Sequence, residues 1–246
     1  MAQNTPMMKQ YLEIKAQHKD AFLFFRLGDF YEMFFDDAVL AAQELEITLT
    51  GRGQGEERIP MCGVPYHSAD QYMSRLIEKG YKIALCEQVE DPKQAKGVVK
   101  REVVKVLTPG TMMYGNTIKE KENNYLVALT IFSEQSYGIA RTDLTTGECA
   151  VTLIQGDLDE AIQDIASSGT KELVVDTGLE PNILKRIQEK CPVTISYENE
   201  TDLHSDYQHL VENLQSDQLK ARIPLFSFLL TTLLTQDSFS YAYPFS

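Results

Sequence analysis

Two six-residue apolar runs, residues 22–27 and 30–35, stand near the start of the chain with only Gly28 and Asp29 between them. Aromatic-rich runs separated by a two-residue, glycine-containing gap predict a β-hairpin. Upstream, Thr5 supplies an N-cap and Pro6 a first-turn proline; Met8, Tyr11, Leu12 and Lys15 then recur at helical spacing, predicting a helix to about Lys19. Downstream, Asp36 or Asp37 is placed to cap a helix over 38–46, and Ser68 to cap another ending at Lys79 with Gly80 just beyond it. Residues 81–89 and 101–107 read as strands, so the first part of the chain is expected to be a mixed α/β sheet domain.

Pro109-Gly110 closes the last of these runs, and residues 111–124 are polar and charged before an apolar run resumes at Tyr125. A linker is expected over 116–124. Three strands follow, 125–132, 137–143 and 148–154, close enough in sequence to pair as an antiparallel meander. Helix, strand, helix and strand are then expected at 158–167, 172–176, 181–190 and 193–197. Three antiparallel strands continued by alternating helices and strands is the layout of a ribonuclease-H-like fold. The expected organisation is therefore a domain over 1–115, the linker, a ribonuclease-H-like domain over 125–215, and a tail over 216–246 whose Ser/Tyr/Phe-rich composition does not suit packing.

The 246 residues, 43% apolar and 24% charged, are those of an ordinary globular protein. No apolar run approaches the roughly 18 residues of a membrane span, and the N-terminus lacks a basic region followed by an apolar one, so the expected compartment is the cytosol. Cys62, Cys86, Cys149 and Cys191 show no metal-binding spacing and are expected to be reduced thiols, three of them in apolar surroundings. The net charge of −13 is uneven: residues 1–115 carry 14 basic and 16 acidic side chains, whereas residues 116–246 carry 9 and 20, a net −11. Between 93 and 105 the sign reverses, since Lys93, Lys96, Lys100, Arg101 and Lys105 face only Glu102. Such a cluster fits either phosphate contacts or a solvated strand edge.

Much chemistry is missing from the sequence. There is no G-x-x-x-x-G-K-[ST] loop, and Gly51-Arg-Gly-Gln-Gly55 is followed by Glu56-Glu57, whose charges would repel a phosphate. His18, His67, His204 and His209 lack metal spacing and a neighbouring nucleophile, so no catalytic or metal site is expected.

The unusual element is the second hairpin strand, where alternation puts Phe30, Glu32 and Phe34 on one face and Tyr31, Met33 and Phe35 on the other. A carboxylate between two rings is either an edge-strand charge or part of a tip that reads nucleic acid. In the second case Phe30 wedges between base steps from the minor groove, and Glu32, two residues on, hydrogen-bonds the displaced base. At these residues a resemblance appears. The segment Phe25-Arg-Leu-Gly-Asp-Phe-Tyr-Glu-Met-Phe-Phe-Asp-Asp-Ala38, with Thr5-Pro-Met-Met-Lys-Gln-Tyr11, Ile59-Pro-Met-Cys-Gly-Val-Pro-Tyr-His67 and Cys86-Glu-Gln-Val-Glu-Asp-Pro92, closely resembles the N-terminal region of the MutS family of bacterial DNA mismatch repair proteins.

The resemblance spans roughly residues 3–215. It implies a mixed-sheet mismatch-recognition domain followed by a ribonuclease-H-like connector domain. It assigns Phe30 to stacking on a mispaired or unpaired base and Glu32 to hydrogen-bonding it. Lys93, Lys96, Lys100 and Arg101 become candidate DNA-backbone contacts. The implied partners are mismatched double-stranded DNA and, through the connector, a MutL-like protein, in a cytoplasmic, nucleoid-associated setting. The family's core, clamp and ATPase domains have no counterpart in these residues, so neither enzyme activity nor ATP and Mg²⁺ binding is expected, and a monomer is. After about Lys220 the resemblance lapses, and a premature end, frameshifted or otherwise, is expected there. Two readings from other classes stand beside this one. A nuclease would draw on the isolated acids Asp143 and Asp176, which are not clustered as two-metal chemistry requires. A protein-interaction fragment would use the acidic second half and bind DNA too weakly to matter.

Overall fold

The computed structural model describes residues 5–53, 55, 58–90, 97–112, 123–198 and 216–234. The chain divides into two compact units, one ending at Leu107 and the other spanning Thr108–Leu234.

In the first unit, α1 (Pro6–Gln17) starts as its sequence dictates: the Thr5 hydroxyl accepts from the Met8 N–H at 3.3 Å and Pro6 occupies the first turn. The hairpin β1 (Ala21–Leu27) and β2 (Phe30–Phe34) follows, its turn made possible by Gly28 at φ +59°. Then come α2 (Phe35–Leu45), β3 (Thr50–Arg52), β4 (Ile59–Pro65), a 3₁₀ turn at Tyr66–Ser68, α3 (Ala69–Glu78), β5 (Lys82–Gln88) and β6 (Arg101–Leu107). These strands form one mixed sheet in the order β3-β4-β2-β1-β5-β6. Tyr11 of α1 packs edge-on against Phe25 and Phe34, with Met8, Leu23, Ile59, Ala84 and Cys86 completing that core. Burial holds the Cys86 thiol of this core and the Cys62 thiol of β4 up at about 12, which keeps both protonated and inert.

Neither Asp36 nor Asp37 caps α2. The helix begins a turn earlier, because Phe35 adopts φ +55° and swings the chain from strand into helix. The reversal also defeats alternation: Phe35 packs beside Phe34 in the α1 core instead of facing the other side. Asp37 is used instead to accept the Leu23 N–H at 3.0 Å and to pair with Lys15 at 2.9 Å. Ser68 occupies the N-cap position of α3, but its hydroxyl points back to the Pro65 carbonyl. Residues 59–65, where the sequence predicts no strand, form β4, which runs antiparallel to β2.

The second unit is built on β7 (Tyr125–Ser133), β8 (Ser136–Asp143) and β9 (Glu148–Gln155), an antiparallel meander. After α4 (Leu158–Ser167), β10 (Thr170–Asp176) pairs parallel with β7; after α5 (Pro181–Lys190), β11 (Thr194–Glu198) pairs parallel with β10. The sheet order β11-β10-β7-β8-β9 is the expected ribonuclease-H-like arrangement. One face carries Val127, Leu129, Ile139 and Leu173 against Ile162, Ile165 and Ile187 of α4 and α5. The other face carries Leu126, Ala128, Ala140 and Val174, and α6 (Ser216–Leu234) covers it through Leu225, Phe228 and Leu229. Residues 216–234 are therefore not an unpacked tail. Pro224 sits inside α6, and Ala221 comes so close to the sheet that a Cβ on Gly138 would stand 2.6 Å from the Ala221 Cβ.

Candidate nucleic-acid interface

The hairpin tip is positioned on three strands at once. Leu27 pairs with Phe30 and Phe25 with Glu32 on the β1 side; on the β4 side Phe30 lies opposite Pro65 and Glu32 opposite Gly63. The tip is also tied across the turn, since the Tyr66 N–H donates to the Asp29 carbonyl at 2.8 Å and the Arg26 Nε to the Gly28 carbonyl at 2.5 Å. Phe30, Glu32 and Phe34 share the face that α1 covers, but the cover is incomplete. Phe34 is fully buried under Tyr11, whereas Phe30, nearer the tip, is 46% exposed. The other strand phenylalanines, Phe22, Phe24 and Phe25, are all buried.

Glu32 stands between them, with no side chain opposite it on the β4 side because position 63 is glycine. A Cβ there would lie 3.5 Å from the Glu32 Cγ and 3.3 Å from the Tyr31 carbonyl oxygen. The space left forms an open cavity of about 500 Å³ bordered by Phe30, Glu32, Thr48, Thr50, Met61 and Gly63. Burial raises the Glu32 pKa, and Arg52, whose Nη1 reaches the carboxylate at 3.4 Å, offsets part of that rise. An exposed ring and a partly desolvated carboxylate, two strand residues or about 6.8 Å apart, border one cavity. That arrangement suits a flat, hydrogen-bonding group that stacks on the ring and meets the carboxylate at its edge.

The opposite face of the tip carries another cluster. The Tyr31 hydroxyl donates to Glu87, and the Arg26 guanidinium lies 3.5 Å from the centre of the exposed Tyr66 ring.

The basic cluster is not one surface. Lys93 and Lys96 lie outside the described residues. Lys100 is exposed just before β6 and pairs with Glu102 at 2.5 Å, which raises its pKa. Arg101, a candidate backbone contact in sequence, is only 7% exposed and is fully engaged within the protein. Its Nε donates to the Arg26 carbonyl at 2.6 Å, its Nη1 to Gln10 and the Val99 carbonyl, and its guanidinium lies over the Phe25 ring. Burial of the strand behind α1 draws it inward, so it holds α1 to the sheet instead of meeting a phosphate.

Asp143 and Asp176 are likewise spent on turns. Asp143 accepts from the Thr145 N–H and hydroxyl and from the Asn124 N–H, and Asp176 accepts from the Gly178 N–H. Among the described residues, no group of three or more His, Cys, Asp or Glu side chains is placed to hold a metal. No helix among them is long and apolar enough to cross a membrane. Sequence reasoning missed Arg52 and Gly63. The signal for Gly63 was a glycine within an otherwise alternating run, which often marks a close approach; Arg52 carried no local signal.

Family comparison places these units. The family model for MutS domain I matches residues 5–116, and that for MutS domain II matches residues 124–228. The DNA mismatch repair protein MutS of Halalkalibacterium halodurans is 64% identical over 233 residues, 94% of this chain and 27% of the relative. That of Shouchella clausii is 63% identical over 221 residues, 89% of this chain and 25% of the relative. That of Bacillus cereus strain B4264 is 56% identical over 234 residues, 94% and 26%. The chain thus spans about a quarter of the length of these curated relatives.

Proposed function

The chain belongs to the MutS family, matching its domains I and II, and on that premise we propose that its first unit recognises mismatched or unpaired bases in duplex DNA. One observation carries the reading: among the phenylalanines of β1 and β2, Phe30 alone is left exposed, at a tied hairpin tip beside a partly buried carboxylate. Entering from the minor groove, the ring would wedge at a base step. Unstacking a paired step costs a few kcal/mol, less where a base is mispaired, while stacking on an aromatic ring returns about 1–3 kcal/mol. The preference for a mismatch is the difference between those costs.

Glu32 would meet the edge of the displaced base. A carboxylate is repelled by phosphates, a cost that the neighbouring Arg52 offsets in part, so its charge would be kept for a specific contact with the base. In this reading residues 1–115 form the recognition domain, 116–124 the linker, and 125–215 the connector domain. The connector domain is proposed to engage a MutL-like protein. Lys93, Lys96 and Lys100 remain proposed backbone contacts; Arg101 is withdrawn.

The test is a titration of mismatched and matched duplexes with the chain over a series of salt concentrations. The expected result is tighter binding to the mismatched duplex, with both affinities falling as salt rises. Equal affinities for the two duplexes at every salt concentration would sink the reading.

A further inference from the structure

The sheet of the second unit ends at β9, and among the described residues nothing pairs with the outer edge of that strand. The other edge strands are blunted. β3 has three residues and β11 five, and β6 carries Glu102 and Lys105 along its length. Short strands and charges are how sheets avoid templating another strand. β9 uses neither device: it is eight residues long, Glu148 at its start is its only charge, and it contains no proline or glycine. Cys149 and Leu153 are exposed on it, Leu153 at 37%.

We propose that β9 is an interaction edge to which a second copy of this chain adds its own β9, antiparallel, continuing the sheet across a twofold axis. The strand is complementary to itself. Centring the pair on Thr152 sets that residue against its own copy, Val151 against Leu153 twice, and Ala150 against Ile154 twice. Each pair keeps its residues on one side of the sheet, as the pleat requires. Val151 then stays on the α6 side, where it already packs, and Ile154 on the side of α4 and α5. Aliphatic and β-branched residues directly opposed across strands stabilise such a pair.

Two terms keep the association weak. An eight-residue strand is about 27 Å long, and a single added strand buries less than the roughly 1,200 Å² of a standard stable interface. The two copies also repel, since residues 116–246 carry a net −11. The pair is therefore a reversible dimer that salt strengthens: the Debye length shrinks from about 30 Å at 0.01 M to about 10 Å at 0.1 M ionic strength.

Sedimentation equilibrium of the whole chain tests this. The dimer dissociation constant is expected to fall several-fold between those ionic strengths, and Leu153→Lys, an exposed edge substitution, is expected to leave a monomer with an unchanged melting curve. In a Cys149→Ser background, Thr152→Cys should oxidise to a disulfide-linked dimer, because directly opposed cross-strand β-carbons lie about 4.5–5.5 Å apart. Ala150→Cys, whose copies would stand about 14 Å apart along the strands, should not. A monomer at every ionic strength overturns the proposal. So does association by Leu153→Lys equal to that of the parent, or equal trapping at positions 150 and 152.

Discussion

Removing the Phe30 ring takes little from the core, because that ring is half out of the protein while Phe34, on the same face, is fully enclosed. Phe30→Ala is therefore expected to leave the melting temperature within a few degrees and to erase the preference for mismatched over matched duplex, measured by fluorescence anisotropy. Glu32→Ala should also weaken discrimination but raise affinity for matched duplex, since it deletes a charge that repels phosphates together with a hydrogen bond. The matched duplex thus separates the two roles. A second residue-scale expectation concerns Asp143. Burial pushes its pKa up, but hydrogen bonds from Thr145, Asn124 and Thr146 outweigh burial and hold it below the usual carboxylate range. Its contribution to stability is then fully present above the unfolded value near 3.9 and is lost as pH falls through the lower folded value. Asp143→Asn should cost about 1–3 kcal/mol at neutral pH by leaving donors unpaired, and the gap to the parent should narrow below about pH 4 in urea titrations.

Among elements, the contact of α6 with the sheet depends on the missing side chain at Gly138. A Cβ there would meet the Ala221 Cβ at 2.6 Å and the Phe132 ring at 3.0 Å. Gly138→Ala is expected to cost about 1–3 kcal/mol in thermal or urea unfolding, and Gly138→Val more. That helix was the least legible element in the sequence. Pro224 interrupts its pattern, and the segment is nearly uniformly apolar around Leu225–Leu234 instead of striped, so neither a cap nor a period announces it. The hairpin, the meander and α5 were legible because aromatic runs, glycine turns and Pro181 act over a few residues. β4 was not, because Pro60, Gly63 and Pro65 read as loop signals, and only pairing with β2 and β3 makes the segment a strand. The candidate site divides in the same way. Phe30 and Glu32 followed from alternation within one strand, whereas Arg52 joins them only through the order of the sheet, and Phe35 broke alternation with a single left-handed residue.

At the scale of the whole molecule, a net −13 means that any approach to DNA depends on local positive charge. Replacing both Lys96 and Lys100 with glutamine should weaken binding to matched and mismatched duplexes alike, and should flatten the salt slope by about one unit for each phosphate that is no longer neutralised. Lys100 is partly neutralised by Glu102, so Glu102→Gln is expected to tighten binding to both duplexes. Arg101→Gln should instead lower thermal stability, because it releases α1 from the sheet. The tie between the Tyr66 N–H and the Asp29 carbonyl also bears on how the molecule would spend its time on DNA. A tip paired on both sides and tied across its turn resists bending, so in the proposed reading most of the yielding falls to the duplex. If the tip binds DNA as proposed, its hold on matched duplex would follow the softness of the double helix itself, strengthening at TA and CA/TG steps, which kink most readily. Residence times on fully matched duplexes are accordingly expected to rise with the number of those steps and to be shortest on stiff A-tracts.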